Sequence, residues 1–307
     1  MIRLLFFGMT GLFSKIPFAS LLTTAANICA VIVPTESPAR SSLPRPVAPP
    51  PLPPSALPLL TPHLRESIIH LAWQQSIPVW EVGRLREQKT LSLLAALQPD
   101  LICVACFPYI FPPALLSLPR YGCLNLHPSL LPAYRGPTPL FWLVRQGETQ
   151  AGVTLHFLSE GVDQGDIVAQ TAFPLPEGIS ELELTRRCAL EGAALLTAAI
   201  QQLERGPLPR RPQPLGGSYF PAPTAADMRI PLTWPAHRAF NFLRAADAWP
   251  LLLELGEAEL LVAQALSYDQ AQTLPAPFIV QGAEIWVQFT PGVLKVRGAI
   301  QQAWPPQ

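Results

Sequence analysis

Charge is scarce in this chain of 307 residues. Asp, Glu, Lys and Arg make up 14% of the sequence, and the formal net charge is zero. A neutral chain offers no electrostatic basis for strong binding to nucleic acid or to an acidic membrane surface. A hydrophobic content of 49% also excludes global disorder. The length allows two domains or one large one.

Cysteine is also rare, and its pattern excludes two classes of protein. The five cysteines form an odd number, which suits a reducing cytoplasm better than a disulfide framework. Cys103 and Cys106 have a CxxC spacing, but no second pair with zinc spacing exists. Both lie in the apolar run 101–106, where positions i and i+3 of a strand face opposite sides. We therefore expect core residues here and no metal site.

Targeting and membrane signals are missing as well. The start MIRLLFF is too short for a signal peptide and has no small-residue cleavage pattern. The uncharged run 16–35 is interrupted by Pro17, Thr23, Thr24 and Asn27, so it favours a helix that leads into a buried strand. No GxSxG and no HExxH motif is present. We expect a cytoplasmic monomer with no membrane partner.

The N-terminal pattern predicts a parallel sheet. Residues 2–7 form a first buried strand, a glycine turn follows at 8–11, then a helix at about 14–24 and a strand at 28–33. Such a βαβ unit implies parallel strands with right-handed crossovers. The turn is not GxGxxG, which gives little support for a dinucleotide. Its backbone N–H groups at Gly8 and Thr10 could hold an anionic substrate group, or the turn is a plain tight turn.

Proline dominates the next stretch. Of the 38 prolines, many fall between Pro34 and Pro62, including a run at 49–51. This composition predicts a long exposed loop in polyproline II conformation that cannot join a sheet. A role as an SH3-type ligand is a generic alternative.

Periodicity predicts the remaining elements. Helices are expected at 63–76, 91–97, 139–146 and 181–204, and strands at 77–82, 101–106, 123–127, 153–158 and 166–171. In the last helix the predicted buried stripe is Leu182, Leu190, Ala193, Leu196 and Ile200. Residues 206–223 read as a linker. A second, smaller domain is predicted after the linker, with strand-like segments at 228–232 and 279–295 and a helix at 235–245.

The segment from Cys123 to Asp166 carries the chemistry. Asn125 and His127 are two apart, so on a strand they point to the same face, and Pro128 helps to end that strand. Ligands of open α/β sheets bind at such strand ends. Further on, glycines at 161 and 165 allow a tight loop that presents the carboxylate of Asp163, with Asp166 as a competing candidate.

This arrangement resembles the formyltransferases that use 10-formyltetrahydrofolate, and within them the methionyl-tRNA formyltransferases. The matching residues are Asn125, His127, the tetrapeptide Ser129-Leu130-Leu131-Pro132 and Asp163. The resemblance implies an open, mostly parallel sheet flanked by helices, a Rossmann-like formyltransferase fold. It also implies a catalytic domain at 1–205, a linker at 206–223 and a shortened, β-rich, OB-like domain at 224–307.

The resemblance implies roles for these side chains in formyl transfer from N10 of the folate to an amine. The transfer passes through a tetrahedral intermediate with an oxyanion, which the Asn125 amide and a protonated His127 would stabilise. Asp163 would favour the protonated imidazole by electrostatic pairing or take up the amine proton through a water. Taken alone, Asn125 would be interpreted as a turn residue, His127 as a structural histidine and Asp163 as a loop carboxylate.

Binding residues follow from the same resemblance. Candidate folate contacts are Phe107, Pro108, Tyr109, Ile110 and Phe111, then Ser159, Glu160, Gly161 and Val162. Candidate substrate contacts are Gly8, Thr10, Ser129, Leu130, Leu131, Pro132 and Arg135. Ordinary loop packing is the alternative for the aromatic residues at 107–111, and a plain surface charge for Arg135. Ser129 is expected to cap or turn its loop, and His156 to be structural.

The acceptor is left open among several alternatives. Initiator methionyl-tRNA is one candidate, which would imply a role in translation initiation. From residue 206 onward, however, cations and anions number seven each, so no basic tRNA-binding surface is evident. An amino-sugar nucleotide or another small amine is a second candidate. Two other functions are also possible interpretations: hydrolysis of 10-formyltetrahydrofolate, and a binding role without catalysis.

Overall fold

The computed structural model describes residues 1–35, 43–49, 67–256 and 258–302, in which two β-sheets form. Eight strands make the first sheet: β1 Arg3–Gly8, β2 Asn27–Pro34, β3 Arg45–Pro46, β4 Val79–Val82, β5 Leu101–Ala105, β6 Cys123–His127, β7 Gln150–Phe157 and β8 Ile167–Pro174. Their order is β3-β4-β2-β1-β5-β6-β7-β8. Six strands make the second: β9 Arg229–Ile230, β10 Leu252–Leu255, β11 Ala258–Asp269, β12 Phe278–Gln281, β13 Glu284–Gln288 and β14 Val293–Gln302.

The first sheet is mostly parallel, as predicted. Strands β4, β2, β1, β5 and β6 run parallel to one another, and the β3–β4 and β6–β7 pairs are antiparallel. The chain leaves β1 toward β2 and later returns on its other side as β5. The carboxyl ends of β1, β5 and β6 therefore lie at one edge, beside the point where the strand order reverses.

Helices are found at most of the predicted positions. Their bounds are α1 Leu12–Leu21, α2 Ile68–Gln74, α3 Gln88–Ala96, α4 Pro113–Leu116, α5 Pro139–Gln146, α6 Glu181–Leu203 and α7 Ala236–Ala245. Helix α2 begins after Ser67, whose hydroxyl accepts a hydrogen bond from the His70 N–H. The rest of its predicted N-terminal turn, 63–66, lies outside the described residues.

The prediction that no part of 34–62 joins a sheet is wrong at two places. Pro34 is the last residue of β2 and pairs with Val82 of β4. Arg45 and Pro46 form β3, which pairs with β4 at the edge of the sheet. An edge position tolerates proline because the missing N–H can face away from the ladder. The Arg45 guanidinium also contacts both carboxylate oxygens of Glu81 at 2.9 Å. Residues 36–42 and 50–62 of the predicted polyproline loop lie outside the described residues.

The buried stripe of α6 differs from the prediction. Leu182 and Leu190 are 68% and 50% exposed, whereas Leu184 and Cys188 are completely buried. At 100° per residue, a shift of two positions moves a side chain to the opposite face of the helix. Ala193, Leu196 and Ile200 are buried as expected.

The chain forms two compact units. The first comprises 1–136, 152–172 and 185–219, and the second 137–151, 173–184 and 220–307. The second sheet lies in the second unit, where strands β10 and β11 were missed by sequence reasoning. Most of β11 is partly or fully exposed, so its sequence shows little of the alternation that predicts a half-buried strand.

The CxxC pair is divided between core and surface. Cys103 is completely buried in β5, but Cys106 follows the strand and is exposed, so the predicted strand end and the core interpretation of Cys106 are wrong. Among the described residues, no group of three or more His, Cys, Asp or Glu side chains is placed to hold a metal ion. Likewise, no described helix is long and apolar enough to cross a membrane.

Three thiols are expected to be inert in the folded protein. Burial raises the pKa of the Cys103 thiol, and it raises the pKa of Cys123 and Cys188 to about 12. Because the thiolate is the reactive form, a disulfide reagent such as DTNB should reach these three only after unfolding in guanidinium, with Cys106 reacting earlier. Reaction of all five at the rate of free cysteine in the native protein would contradict this prediction.

Candidate active site

Strand β6 places Asn125 and His127 at the shared edge of the first sheet. Both side chains lie on one face of the strand, as their two-residue spacing predicts. The antiparallel neighbour β7 brings His156 opposite Asn125 and Thr154 opposite His127. Side chains opposite each other on paired strands are close enough to interact directly. The site therefore contains a second histidine.

The ring of His127 has one engaged nitrogen and one that faces Asp163. Nε2 lies 2.8 Å from the carbonyl oxygen of Tyr134. Since a carbonyl oxygen only accepts, Nε2 carries a proton and donates it. Nδ1 lies 3.6 Å from Oδ2 of Asp163, and only 5% of the His127 side chain is exposed. The Tyr134 carbonyl thus fixes the ring, and Nδ1 is the nitrogen left for chemistry.

Asp163 contacts several groups of the site. Its Oδ2 accepts a hydrogen bond of 2.9 Å from the Gly136 N–H, and its Oδ1 lies 3.7 Å from Nε2 of His156. The side chain is 11% exposed, so solvent screens it little. Its backbone has φ 52°, in the left-handed region that few residues other than glycine adopt. The loop therefore holds Asp163 in a costly conformation that aims the carboxylate at both imidazoles.

His156 orients the Asn125 amide. Its Nδ1 donates to the Phe157 carbonyl oxygen at 2.8 Å, so in the neutral ring Nε2 is an acceptor. Nδ2 of Asn125 lies 3.1 Å from that Nε2 and donates to it. Burial, and to a smaller extent the nearby His127, lower the pKa of His156 to about 4, against opposing effects of Asp163 and the Phe157 carbonyl. The contact between His156 and Asp163 is therefore not a salt bridge at neutral pH.

The buried His156 should make the fold sensitive to acid. The unfolded chain binds this proton below about pH 6.5, whereas the lowered pKa of His156, about 4, keeps the folded ring neutral over most of that range. Acidification from about pH 6.5 to 4 therefore favours unfolding. In a His156→Gln variant, which lacks this titration, the free energy of unfolding should fall less over that interval, by a few kcal/mol, in urea titrations at several pH values. Parallel pH curves for the variant and the parent would contradict this assignment.

Of the two loop carboxylates, only Asp163 lies with the histidines. Asp166 is 3.9 Å from the Arg210 guanidinium, and 37% of its side chain is exposed. The tetrapeptide 129–132 is held by hydrogen bonds to neighbouring residues. The Ser129 hydroxyl donates to the Ala133 carbonyl at 2.7 Å, as expected of a residue that closes a loop. The Thr154 hydroxyl donates to the Ser129 carbonyl and accepts from the Leu131 N–H. This loop carries Tyr134 and thereby supports His127.

The candidate folate residues at 107–111 alternate in exposure. Phe107, Tyr109 and Phe111 pack against the core beside Phe7, with Phe107 edge-on to Phe7 at 5.1 Å between ring centroids. Pro108 and Ile110 point outward, and Ile110 is 62% exposed. The aromatic rings therefore belong to the core, and the outward residues and the backbone are the groups available to a ligand.

The other candidate binding residues flank the same edge of the sheet. Gly8 ends β1 at the start of the turn and is buried, and a Cβ there would meet the Phe6 ring at 2.9 Å and Ser14 Cβ at 3.0 Å. The Ser14 hydroxyl accepts from the Met9 N–H and donates to the Ala105 carbonyl, which ties this turn to the end of β5. Thr10 is exposed. In the loop before Asp163, Ser159 and Gly161 are half-buried, and Glu160 and Val162 are exposed.

Arg135 contacts residues of its own unit. Its Nε and Nη2 donate to Oε1 of Gln213 at 3.2 and 2.6 Å, and Nη1 lies 3.5 Å from the Gly216 carbonyl. Sequence reasoning missed His156 and Gln213 as members of the site. His156 has no local signal beyond its place in an alternating strand, and Gln213 lies in a stretch that reads as a linker.

Comparison with known proteins places the chain in a family. The model of a family described as formyl transferase matches residues 56–200. Relatives named methionyl-tRNA formyltransferase include one from Synechococcus sp. strain JA-3-3Ab, 40% identical over 57% of this chain and 55% of its own length. Another, from Geobacillus sp. strain WCH70, is 32% identical over 82% of this chain and 73% of its own length. The chain thus spans little more than half the length of the first of these relatives.

A solved structure agrees in fold. It is an N-formyltransferase from Helicobacter canadensis in complex with folinic acid and dTDP-3-aminofucose. The TM-score is 0.65 at 16% identity, with 97% of this chain and 99% of that chain covered. The chain belongs to the formyl transferase family. Within the family, these two relatives, 40% and 32% identical to this chain, are named methionyl-tRNA formyltransferases.

Proposed function

We propose that the chain transfers a formyl group from 10-formyltetrahydrofolate to an acceptor amine, as a methionyl-tRNA formyltransferase or a close homologue. The observation that carries the proposal is the meeting of Asn125, His127 and Asp163 at the carboxyl edge of the first sheet. In this proposal residues 1–205 form the catalytic domain, 206–223 a linker and 224–307 a small C-terminal domain. The cytoplasm is the proposed location.

The first step is attack of the acceptor amine on the formyl carbon. A bond forms between the amine nitrogen and that carbon, and the carbonyl electron pair moves onto oxygen. One N–H of the Asn125 amide is engaged by His156, which leaves the second to donate to the oxyanion. The protonated Nδ1 of His127 is a second donor, since Nε2 is occupied by the Tyr134 carbonyl. Each such donor commonly lowers the barrier by about 3 kcal/mol.

The second step breaks the bond between the formyl carbon and N10. The amine nitrogen must lose a proton, and Asp163 receives it directly or through one water. N10 must gain a proton as it leaves, and the imidazolium of His127 supplies it. The Asp163 carboxyl and the His127 ring lie 3.6 Å apart, so the proton can return to the ring and restore the site. No side chain forms a covalent bond, and the net change is one proton moved from the amine to N10.

An amino-sugar nucleotide is the second candidate acceptor. The observation that favours it is the equal number of cations and anions, seven each, from residue 206 onward. A protein that binds tRNA through many phosphates would be expected to present a clear excess of Lys and Arg.

One assay separates these acceptors. Purified full-length protein is incubated with 10-formyltetrahydrofolate and either methionyl initiator tRNA, an amino-sugar nucleotide or no acceptor, and tetrahydrofolate release is followed. Release that requires the charged tRNA supports the first acceptor, and release that requires the sugar supports the second. Equal release without any acceptor would identify a hydrolase, and no release in any reaction would refute the proposed function.

A further inference from the structure

A segment outside the catalytic strands contacts both loops of the candidate site. Residues 211–219, the 211–219 segment, form no helix or strand, but both of their ends are pinned to the first unit. Arg211 exchanges two backbone hydrogen bonds with Ile167, at 2.8 and 3.0 Å. At the other end, Tyr219 forms a parallel bridge with Arg135.

Two side chains anchor this segment between its ends. Most of its residues are exposed, and only Gln213 and Ser218 are half-buried. Ser218 holds the loop that carries Tyr134: its hydroxyl accepts from the Tyr134 N–H at 2.9 Å, its N–H donates to Pro132 and its carbonyl accepts from Arg135. A Cβ on the neighbouring Gly217, which has φ 88°, would overlap the Pro132 carbonyl. The backbones therefore meet at a distance that only glycine allows.

Gln213 holds the loop that carries Asp163. Its Nε2 donates to the carbonyl oxygens of Asp163 and Gly165, at 2.7 and 2.9 Å. Its Oε1 accepts two hydrogen bonds from the Arg135 guanidinium. Arginine only donates and backbone carbonyls only accept, so the orientation of the amide is unambiguous and all four of its hydrogen-bonding positions are used.

These anchors attach to the two strained residues of the site. Asp163 and Tyr134 both have left-handed backbones, with φ 52° and 59°. Such conformations persist in residues other than glycine only where surrounding contacts impose them. Gln213 bonds the carbonyl of Asp163 and Ser218 bonds the N–H of Tyr134. Since Tyr134 fixes the His127 ring, the 211–219 segment holds both partners of the His127–Asp163 pair.

We infer that Gln213 is a positioning residue that sets the Asp163 carboxylate against His127. The expected effect on catalysis rests on the proposed formyl transfer. The expected effect on the position of the Asp163 carboxylate does not. Without the two bonds from Nε2, the left-handed turn at Asp163 loses its external support. The carboxylate then leaves the Gly136 N–H and the imidazole, which a displacement of about 1 Å is enough to achieve.

Two variants of Gln213 separate its hydrogen bonds to the Asp163 loop from its hydrogen bonds to Arg135. Gln213→Ala removes every contact of the amide, whereas Gln213→Glu keeps acceptors for Arg135 and removes only the donors to the two carbonyl oxygens. Gln201→Ala, at an exposed position of α6, is the matched control. Both Gln213 variants should lower kcat between about tenfold and a hundredfold, with little change in KM for the folate and in the thermal midpoint. Wild-type kcat in Gln213→Glu would overturn the inference.

A double-mutant cycle distinguishes positioning from a general structural role. If Gln213 acts through Asp163, then Gln213→Ala should lower kcat no further once Asp163→Asn is present. The same loss in both backgrounds would mean that Gln213 merely supports the fold and would overturn the inference.

A measurement that needs no activity keeps this inference distinct from the proposed function. The Gly136 N–H is bonded to the Asp163 carboxylate, so its hydrogen exchange reports where the carboxylate lies. By NMR, exchange of this amide should accelerate at least tenfold in both Gln213 variants and remain unchanged in Gln201→Ala. Unchanged exchange in the Gln213 variants would overturn the positioning role even if the parent transfers formyl groups. Accelerated exchange would support it even if the parent does not.

Discussion

Replacing His127 by alanine is expected to lower kcat for formyl transfer about a thousandfold. In the proposed mechanism the imidazole has two tasks, donation to the oxyanion and protonation of N10, and its Nδ1 lies 3.6 Å from Asp163. His156 also lies near Asp163, but its Nε2 accepts a hydrogen bond from the Asn125 amide. The measurement is tetrahydrofolate release at saturating folate and acceptor. KM for the folate should change little, because the lost interactions form mainly in the transition state.

His237→Ala is the matched control for this variant. His237 is an exposed histidine of the second unit, and its Nδ1 contacts the side chain of Gln270 at 2.6 Å. The His237→Ala variant should have a kcat within about twofold of the parent, since a substitution on the surface, away from the active site and the core, has little effect. A His127→Ala protein that folds and keeps near-parental kcat would show that the active site lies elsewhere.

Replacing Gly165 by alanine is expected to disable the site through its backbone. A Cβ at this position would overlap the Phe157 carbonyl oxygen and lie 2.8 Å from its carbonyl carbon. Backbone cannot rotate aside as a side chain can, and Phe157 is bonded to Asp166 through its N–H. The loop must therefore move, and Asp163 moves with it. We expect kcat to fall about a hundredfold and the free energy of unfolding to fall by about 2 to 3 kcal/mol.

Gly206→Ala is the matched control, because it adds the same methyl group at a position where no other atom is close. A Cβ there meets nothing within 4 Å, and the backbone is not in the left-handed region. This variant should match the parent in kcat and in urea unfolding. Parental stability and kcat in Gly165→Ala would mean that the loop adapts freely and that the position of Asp163 is not set by this contact.

Much of the first sheet could be predicted from local patterns. Strands β1, β2, β5 and β6 are short apolar runs between turn residues, and the predicted bounds differ from the observed ones by a residue or two. Fully buried parallel strands need such runs, which makes them visible in the sequence. The second sheet was harder, because β11 is twelve residues long but mostly exposed, and an exposed strand need not alternate.

The sequence-based predictions were wrong about the buried face of α6 and about the edge strand β3. The stripe of α6 was assigned to Leu182 and Leu190, which face away from the core. Pro46 was excluded from the sheet because proline cannot donate to a ladder, yet an edge strand does not require that donor. Both choices depend on what packs against the element, and local sequence does not contain that information.

The sequence by itself determined the family of this protein and the pairing of Asn125 with His127, because two residues on one strand are related by a fixed two-residue period. Only the tertiary structure decided that Asp163 and not Asp166 meets the histidines, that His156 orients the Asn125 amide, and that Gln213 holds the loop between them. These contacts join elements separated by tens of residues in the chain. Their distances depend on strand register and on the packing of loops, which no local pattern of residues specifies.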